Sequence, residues 1–161
     1  MKTFGVALLG AGRIGTEHAR NLAGIPQARV VAVADPNLEA AESAKILARG
    51  ERVYADPKDA IADADVQVVI ICTPTPTHAP LTELAARAGK AVFCEKPIAL
   101  ELPETLRVMA LVDETGIPFQ IGFQRRYDVA FAEAKRRIEA GALGQLEQFR
   151  AVGRDPAPPP L

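Results

Sequence analysis

The chain has 161 residues, of which 48 % are hydrophobic and 24 % charged, as in one globular domain that can bury a core without metal or disulfide support. A formal net charge of −1, no Trp and 5 % aromatic residues argue against a nucleic-acid or anionic-membrane partner. No apolar run reaches the roughly 20 residues that span a bilayer, and the N-terminus enters a strand pattern without a signal peptide. We therefore expect a cytoplasmic protein.

Short β-branched runs alternate with longer helical patterns over the first 123 residues, which is typical of βαβ units in a parallel sheet. The fourth run is almost wholly apolar, as expected of a strand that helices cover on both faces. The pattern predicts an α/β fold with a doubly wound parallel sheet. Its six strands are predicted at residues 5–9, 30–34, 52–54, 66–72, 91–95 and 118–123.

Helix boundaries are predicted from capping residues. Asp56-Pro57 and Pro103 favour helix starts, and Gly89 and Gly116 favour helix ends. Residues 129–140 are amphipathic, and residues 145–152 alternate polar and apolar side chains, which predicts one more strand with a solvated face. Since a lone strand makes no sheet, we interpret it as the first strand of a second α/β domain. A flexible tail is the alternative.

A glycine-rich turn follows the first predicted strand and opens the first helix. In Gly10-Ala11-Gly12-Arg13-Ile14-Gly15, the first glycine permits a tight turn, the second permits close approach of a pyrophosphate, and the third permits close helix packing. The helix N-terminus then faces the phosphates. The pattern predicts a dinucleotide site whose contacts include Gly10, Gly12, Arg13, Ile14 and Gly15.

An acidic residue, Asp35, lies 20 residues beyond Gly15 at the end of the second strand, where a carboxylate can bind ribose hydroxyls. The same charge would repel a 2′-phosphate, and none of residues 36–40 is Arg or Lys. NAD is therefore predicted over NADP. A helix N-cap before Pro36 is the alternative role, and the two are compatible.

Two further loops follow strands and hold side chains that could bind a cofactor or transfer a proton. Residues 72–78, Cys-Thr-Pro-Thr-Pro-Thr-His, place hydroxyls and amides at the carboxyl edge of the sheet, where ligands bind in doubly wound folds. His78 is at least as well suited to holding this loop as to catalysis. Glu95-Lys96-Pro97 puts a lysine where a cationic nicotinamide ring and partial burial would favour loss of its proton, and Glu95 would partly offset that effect.

These motifs, in this order, resemble the Gfo/Idh/MocA oxidoreductases, and Gly122-Phe123-Gln124-Arg125-Arg126-Tyr127-Asp128 is most similar to the inositol 2-dehydrogenase branch. The resemblance implies an NAD(P)-dependent hydride transfer at a carbinol carbon of a sugar or cyclitol, usually in a homo-oligomer. It implies that Lys96 is catalytic. It implies cofactor contacts at Thr73, Pro74, Thr75, His78, Glu95 and Lys96, besides the glycine turn and Asp35, and weaker substrate contacts at Arg126 and Asp155.

The resemblance also implies an organisation in three parts: an NAD-binding domain at residues 1–123, a connecting helix packed on it at 124–144, and the start of a truncated substrate domain at 145–161. The family's further catalytic pair, an Asp and a His four residues apart, has no counterpart here. We therefore expect the 161-residue chain to bind cofactor and to turn over substrate poorly. A non-catalytic dinucleotide-binding sensor or subunit remains the alternative, and a methyltransferase is disfavoured because it has no use for Glu95-Lys96-Pro97.

The two cysteines, Cys72 and Cys94, are too few for a disulfide framework and match no zinc spacing. Both end apolar runs, which favours buried, unreactive thiols. No metal site is predicted.

Overall fold

Six parallel strands form a single sheet in the computed structural model, which describes residues 2–153. The strands are β1 (Phe4–Leu9), β2 (Ala28–Ala34), β3 (Arg52–Tyr54), β4 (Val68–Ile71), β5 (Ala91–Cys94) and β6 (Phe119–Ile121). Their order is β3-β2-β1-β4-β5-β6, so the winding reverses between β1 and β4. The predicted doubly wound sheet is confirmed, with strand ends that differ by one or two residues, as is usual where ladders fray.

Residues 2–153 also form six α-helices, which connect or follow the strands. They are α1 (Arg13–Leu22), α2 (Leu38–Ala48), α3 (Pro57–Ala62), α4 (His78–Arg87), α5 (Leu102–Thr115) and α6 (Val129–Glu139), with short 3₁₀ turns at Thr75–Thr77 and Gln124–Tyr127. Asp56 caps α3 and Gly116 ends α5 in the left-handed region (φ 64°), as their residue types predict. Within residues 2–153 no helix is long and apolar enough to cross a membrane.

The sheet separates two apolar layers because successive side chains of a strand point to opposite faces. Leu8 and Ile70 belong to the layer that also holds residues of α1 and α2. Leu9 and Ile71 belong to the opposite layer, with residues of α3 and α4. The central strands are thus covered on both faces, which fixes the register of their carboxyl ends.

The chain divides into two compact units, of which the first ends at Gly122 and the second begins at Phe123. In the second unit, Asp128 caps α6 by accepting hydrogen bonds from the amides of Ala130 and Phe131. No residue of α6 is buried. The expected packing of this helix on the first domain stays a prediction.

The strand predicted at residues 145–152 is wrong, since the described residues from 142 to 153 contain neither helix nor strand. Alternating polarity indicates which face of a strand is exposed to solvent. The strand itself forms only when a neighbouring strand makes hydrogen bonds with its backbone N–H and C=O groups. Leu146, Phe149 and Val152 are accordingly 49 %, 70 % and 66 % exposed.

Candidate functional site

The register of the sheet brings the carboxyl ends of its strands to one edge. Leu9 of β1 is paired with Ala34 of β2 and Ile71 of β4, Ile71 with Cys94 of β5, and Cys94 with Ile121 of β6. The loops that follow these residues therefore lie side by side. They carry the predicted glycine turn, Asp35, the Thr-Pro loop and Glu95-Lys96, so the structure brings these predicted residues together.

The three glycines of the turn differ in what a Cβ at each position would contact. Gly10 has φ +93°, and a Cβ built on it would lie 2.7 Å from the carbonyl of Cys72. A Cβ on Gly15 would overlap the carbonyl oxygen of Gly10. Gly12 has extended backbone angles (φ −70°, ψ −167°), and a Cβ there would meet nothing within 4 Å. Gly10 and Gly15 are thus required by the fold, whereas Gly12 keeps space open in front of the loop.

Helix α1 begins beside that open space. The N-cap residue of α1 is Gly12, which makes no side-chain capping hydrogen bond. The first turn of the helix carries no acidic residue. The N-terminus of a helix bears a partial positive charge on its amides. Arg13 is exposed and Ile14 is half-buried in this first turn. This helix end is therefore suited to bind an anion.

Asp35 is half-buried and holds two backbone segments. Its Oδ2 accepts a hydrogen bond from the amide of Ala11 (2.8 Å), and its Oδ1 accepts one from the amide of Asn37 (2.8 Å). The alternative role as N-cap of α2 is wrong, because Asn37 is the cap and accepts from the amides of Glu39 and Ala40. Each carboxylate oxygen retains a lone pair that could accept a ligand hydroxyl.

An apolar cavity of about 410 Å³ lies between Asp35's neighbours and the Thr-Pro loop, and the sequence analysis did not predict it. Four prolines contribute to it, two from loops (Pro36 and Pro74) and two from the first turns of helices (Pro57 of α3 and Pro80 of α4). A planar heterocycle suits its apolar surface. Its lining consists of Ala34, Pro36, Pro57, Lys58, Thr73, Pro74, Thr77, Pro80, Leu81 and Leu84.

The Thr-Pro loop is ordered by its own hydroxyls. The hydroxyl oxygen of Thr77 lies 2.6 Å from that of Thr73 and 2.7 Å from the carbonyl oxygen of Pro74. Thr75 opens the 3₁₀ turn that leads into α4. Thr73 and Thr75 are half-buried and Pro74 is exposed, so the loop presents both apolar and hydroxyl groups at the sheet edge.

His78 ties this loop to the loop that carries Lys96. Its ring is 2 % exposed, with Nε2 2.7 Å from the carbonyl oxygen of Thr73 and Nδ1 2.7 Å from that of Pro97. Carbonyl oxygens only accept, so the ring donates at whichever nitrogen carries the hydrogen, and the other nitrogen packs against the second carbonyl. The geometry favours the loop-holding interpretation, and any effect of this ring on a cofactor is exerted through the two loops.

Replacing His78 by Leu should lower the free energy of unfolding by about 1–3 kcal/mol, the usual cost of leaving a buried carbonyl without its donor. Urea unfolding followed by circular dichroism measures this change. Arg87→Leu, an exposed position in the last turn of the same helix, is the control and should shift stability by about 0.5 kcal/mol or less. Equal stability of the His78 variant and the wild type would show that the two contacts contribute nothing.

Glu95 and Lys96 are adjacent in the chain, yet they form no charge pair. Lys96 is exposed, and among residues 2–153 no carboxylate pairs with its ammonium. The partial burial expected for Lys96 beside a bound nicotinamide ring stays a prediction. Glu95 is half-buried, and the peptide bond between Lys96 and Pro97 is cis.

His18 contacts Glu95 and was not singled out by the sequence analysis. Its Nε2 donates to Glu95 Oε1 (2.9 Å), and its ring packs edge-on against Phe93 with centroids 5.3 Å apart. The only signal in the sequence is its place on α1, three residues after Gly15. Nothing in that spacing connects it to a residue 77 positions away.

The two thiols agree with the expectation of inert cysteines. Burial raises the pKa of the Cys94 thiol to about 11 and raises that of Cys72 as well. Both therefore stay protonated near neutral pH. Within the described part of the chain no cluster of His, Cys, Asp and Glu could hold a metal ion.

The two weaker candidates lie in the second unit. Arg126 is exposed, and its guanidinium lies over the ring of Phe123 at 5.3 Å from the centroid. This arrangement is also that of a solvated basic residue, and a role in substrate binding stays a prediction. Asp155 lies outside the described residues.

Comparison with known families decides the relationship. Residues 4–123 match the NAD-binding Rossmann fold of the Gfo/Idh/MocA oxidoreductase family. The chain belongs to this family. The resemblance drawn from the motifs is confirmed, and so is the expectation of a Rossmann domain that binds a nicotinamide dinucleotide.

The proteins to which this chain is similar include several that are named as inositol dehydrogenases. The chain is 44 % identical over 160 residues to an inositol 2-dehydrogenase of Rhizobium meliloti, covering 99 % of this chain and 48 % of the relative. It is 42 % identical to the scyllo-inositol 2-dehydrogenase (NAD(+)) of Bacillus subtilis, covering 96 % and 45 %. A scyllo-inositol dehydrogenase from Lactobacillus casei, solved with bound NAD(H) and scyllo-inositol, superposes with a TM-score of 0.85 at 33 % identity, over 89 % of this chain and 43 % of that one. The chain thus spans about half the length of these relatives.

Proposed function

We propose that the chain is the cofactor-binding half of an NAD-dependent dehydrogenase that moves a hydride between the nicotinamide and a carbinol carbon of a cyclitol or sugar. The observation that carries the proposal is the open space at Gly12. It lies beside an uncapped helix N-terminus and is formed by a loop that Asp35 holds in place. The names of the inositol dehydrogenase relatives support the substrate class.

The residues at the sheet edge fit the parts of a dinucleotide in turn. The glycine turn and the first amides of α1 would bind the pyrophosphate. Asp35 would accept hydrogen bonds from ribose hydroxyls. The apolar cavity at Pro36 and Pro74 would hold the adenine, and the opposite end of the cofactor would then lie toward Glu95 and Lys96.

Lys96 is proposed as the group that handles the proton. A bound NAD would supply the hydride acceptor for the carbinol carbon, and the carbinol hydroxyl would have to lose its proton as the carbonyl forms. The Lys96 amine follows β5 at the sheet edge, where it can hold or pass on that proton. Because no described carboxylate pairs with Lys96, its side-chain nitrogen is available to a substrate hydroxyl.

Calorimetric titration of the 161-residue chain with NAD and with NADP tests the proposal. We expect micromolar to millimolar binding of NAD, and NADP weaker by about tenfold or more, because like-charge juxtaposition of Asp35 and a 2′-phosphate costs several kcal/mol. Asp35→Ser should weaken the binding of NAD and reduce the ratio of NAD affinity to NADP affinity. A folded chain that binds neither nucleotide would contradict the cofactor assignment, and an unchanged preference in the variant would remove Asp35 from it.

Lys58 provides the control for that selectivity, because it lines the same cavity and is a cation. If Lys58 offset the charge of a 2′-phosphate, Lys58→Ala would weaken NADP selectively. We expect Lys58→Ala to change the affinities for NAD and NADP alike.

The catalytic part of the proposal needs a second domain. It is tested in a chimera in which the 161-residue chain precedes the remaining C-terminal half of the Rhizobium meliloti relative, assayed with scyllo- and myo-inositol.

A further inference from the structure

We propose that His18 is a positioning residue which, through Glu95, locks the segment carrying Lys96 to the helix that begins at the glycine turn. The inference rests on the proposed function, since it concerns the placement of Lys96 relative to the cofactor. It assigns a role to a residue on α1 whose side chain contacts Glu95 and Phe93.

The Glu95 side chain is held from two directions. On one side its Oε1 accepts a hydrogen bond from His18 Nε2 at 2.9 Å. On the other, its carboxylate lies against Gly122, where a built Cβ would be only 3.0–3.1 Å from the three carboxylate atoms. Gly122 is buried and its φ lies outside the left-handed region, so the glycine serves to leave room for the carboxylate. We call His18, Glu95 and Gly122 the clasp.

The His18 ring is itself fixed. It packs edge-to-face on Phe93 of β5, with an interplanar angle of 64°, and its side chain is 23 % exposed. The Glu95 side chain is 20 % exposed. A charge-assisted hydrogen bond that is shielded from water in this way is stronger than one on the surface. The clasp thus differs from exposed pairs such as Arg20–Glu17, which contribute little.

The backbone carries this constraint to Lys96. The amide of Glu95 donates to the carbonyl of Ile71 (2.9 Å), and the amide of Gly122 donates to the carbonyl of Cys94 (2.9 Å). Lys96 follows directly and has no ion pair of its own among the described residues. The position of its Cα is therefore set by the clasp on one side and by the Pro97 carbonyl's contact with His78 on the other.

This arrangement predicts a specific kinetic effect. The glycine turn lies one helical turn before His18, so NAD binding would depend little on the clasp. Proton transfer depends on the distance between Lys96 and the substrate, and a misplacement of about 1 Å can cost about 100-fold in rate. Loss of the clasp should therefore lower kcat far more than it weakens NAD binding.

The test compares His18→Leu, His18→Gln and Gly122→Ala in the chimera. His18→Leu removes the donor, and Gly122→Ala places a Cβ only 3.0–3.1 Å from the carboxylate, which must then shift. We expect each to lower kcat about 10- to 100-fold. The dissociation constant for NAD should change by less than about threefold. His18→Gln keeps an N–H donor and should recover most of the lost turnover. Glu17→Leu, the adjacent exposed position on α1, is the matched control.

A second measurement separates this proposal from the proposed function. Amide hydrogen exchange of the unliganded 161-residue chain should be about tenfold faster at Glu95 and Gly122 in His18→Leu than in wild type, and close to wild type in His18→Gln. A wild-type chimera that neither binds NAD nor turns over inositol would refute the proposed function, and the exchange result would still decide whether the clasp exists. Unchanged exchange in His18→Leu, or equal loss of kcat in the Leu and Gln variants, would overturn the positioning role.

Discussion

Lys96→Ala should reduce hydride transfer by the chimera about 10²- to 10⁴-fold, the usual contribution of a positioned acid–base group, while leaving NAD binding nearly unchanged. Lys96 is exposed at the carboxyl end of β5 and supports no other described side chain, so its removal leaves the fold intact. Reduction of NAD followed at 340 nm measures the rate, and calorimetry measures the affinity.

Lys96→Arg distinguishes proton transfer from charge. A guanidinium keeps the positive charge but does not release a proton in proteins, so this variant should be as inactive as Lys96→Ala. Recovery of turnover by Arg would show that only the charge matters. Lys135→Ala, an exposed lysine with a surface ion pair to Glu139, is the control. Retained turnover in Lys96→Ala would remove Lys96 from the mechanism.

Gly12→Val should weaken NAD binding about 100-fold or more, which corresponds to about 2.8 kcal/mol. The backbone of Gly12 is extended and nothing described lies within 4 Å of its missing Cβ, so a larger residue fits the protein without strain. It then fills the space through which a pyrophosphate would approach. The cost to folding should stay near 1 kcal/mol, the usual effect of a poor N-cap.

Whereas Gly12→Val should lose NAD affinity, the companion variant Gly15→Ala should lose stability. Its Cβ would overlap the carbonyl oxygen of Gly10, so we expect a large loss of stability before any question of binding arises. Thermal unfolding by calorimetry, alongside NAD titration, compares the two variants. Wild-type affinity in a folded Gly12→Val chain would place the pyrophosphate elsewhere.

Much of the site could be predicted from the sequence because its parts are local. A strand, the loop after it and the helix that follows are adjacent in the chain, so the glycine turn, Asp35 and Glu95-Lys96 could each be assigned to a strand end. Parallel strands then bring those ends to one edge without further information. Family resemblance assigned the chemistry.

What the sequence did not reveal depends on contacts between distant residues. The hydrogen bond between His18 and Glu95 joins positions 77 apart, and the contact of Asp35 with Ala11 spans 24. The apolar cavity combines prolines from two loops and two helix starts. The error at residues 145–152 has the same origin, since a strand is a property of a pair and the sequence shows only one member.

The shortness of the outermost strands has a consequence for the behaviour of the protein at high concentration. The sheet ends at β3 on one side and β6 on the other, and each of these strands is three residues long. An outer strand is where a second molecule can add its own strand and begin ordered aggregation. Three residues offer such a molecule only one or two backbone hydrogen bonds. The sheet therefore provides a poor template for amyloid-like growth, even though its central strands are among the most apolar segments of the chain.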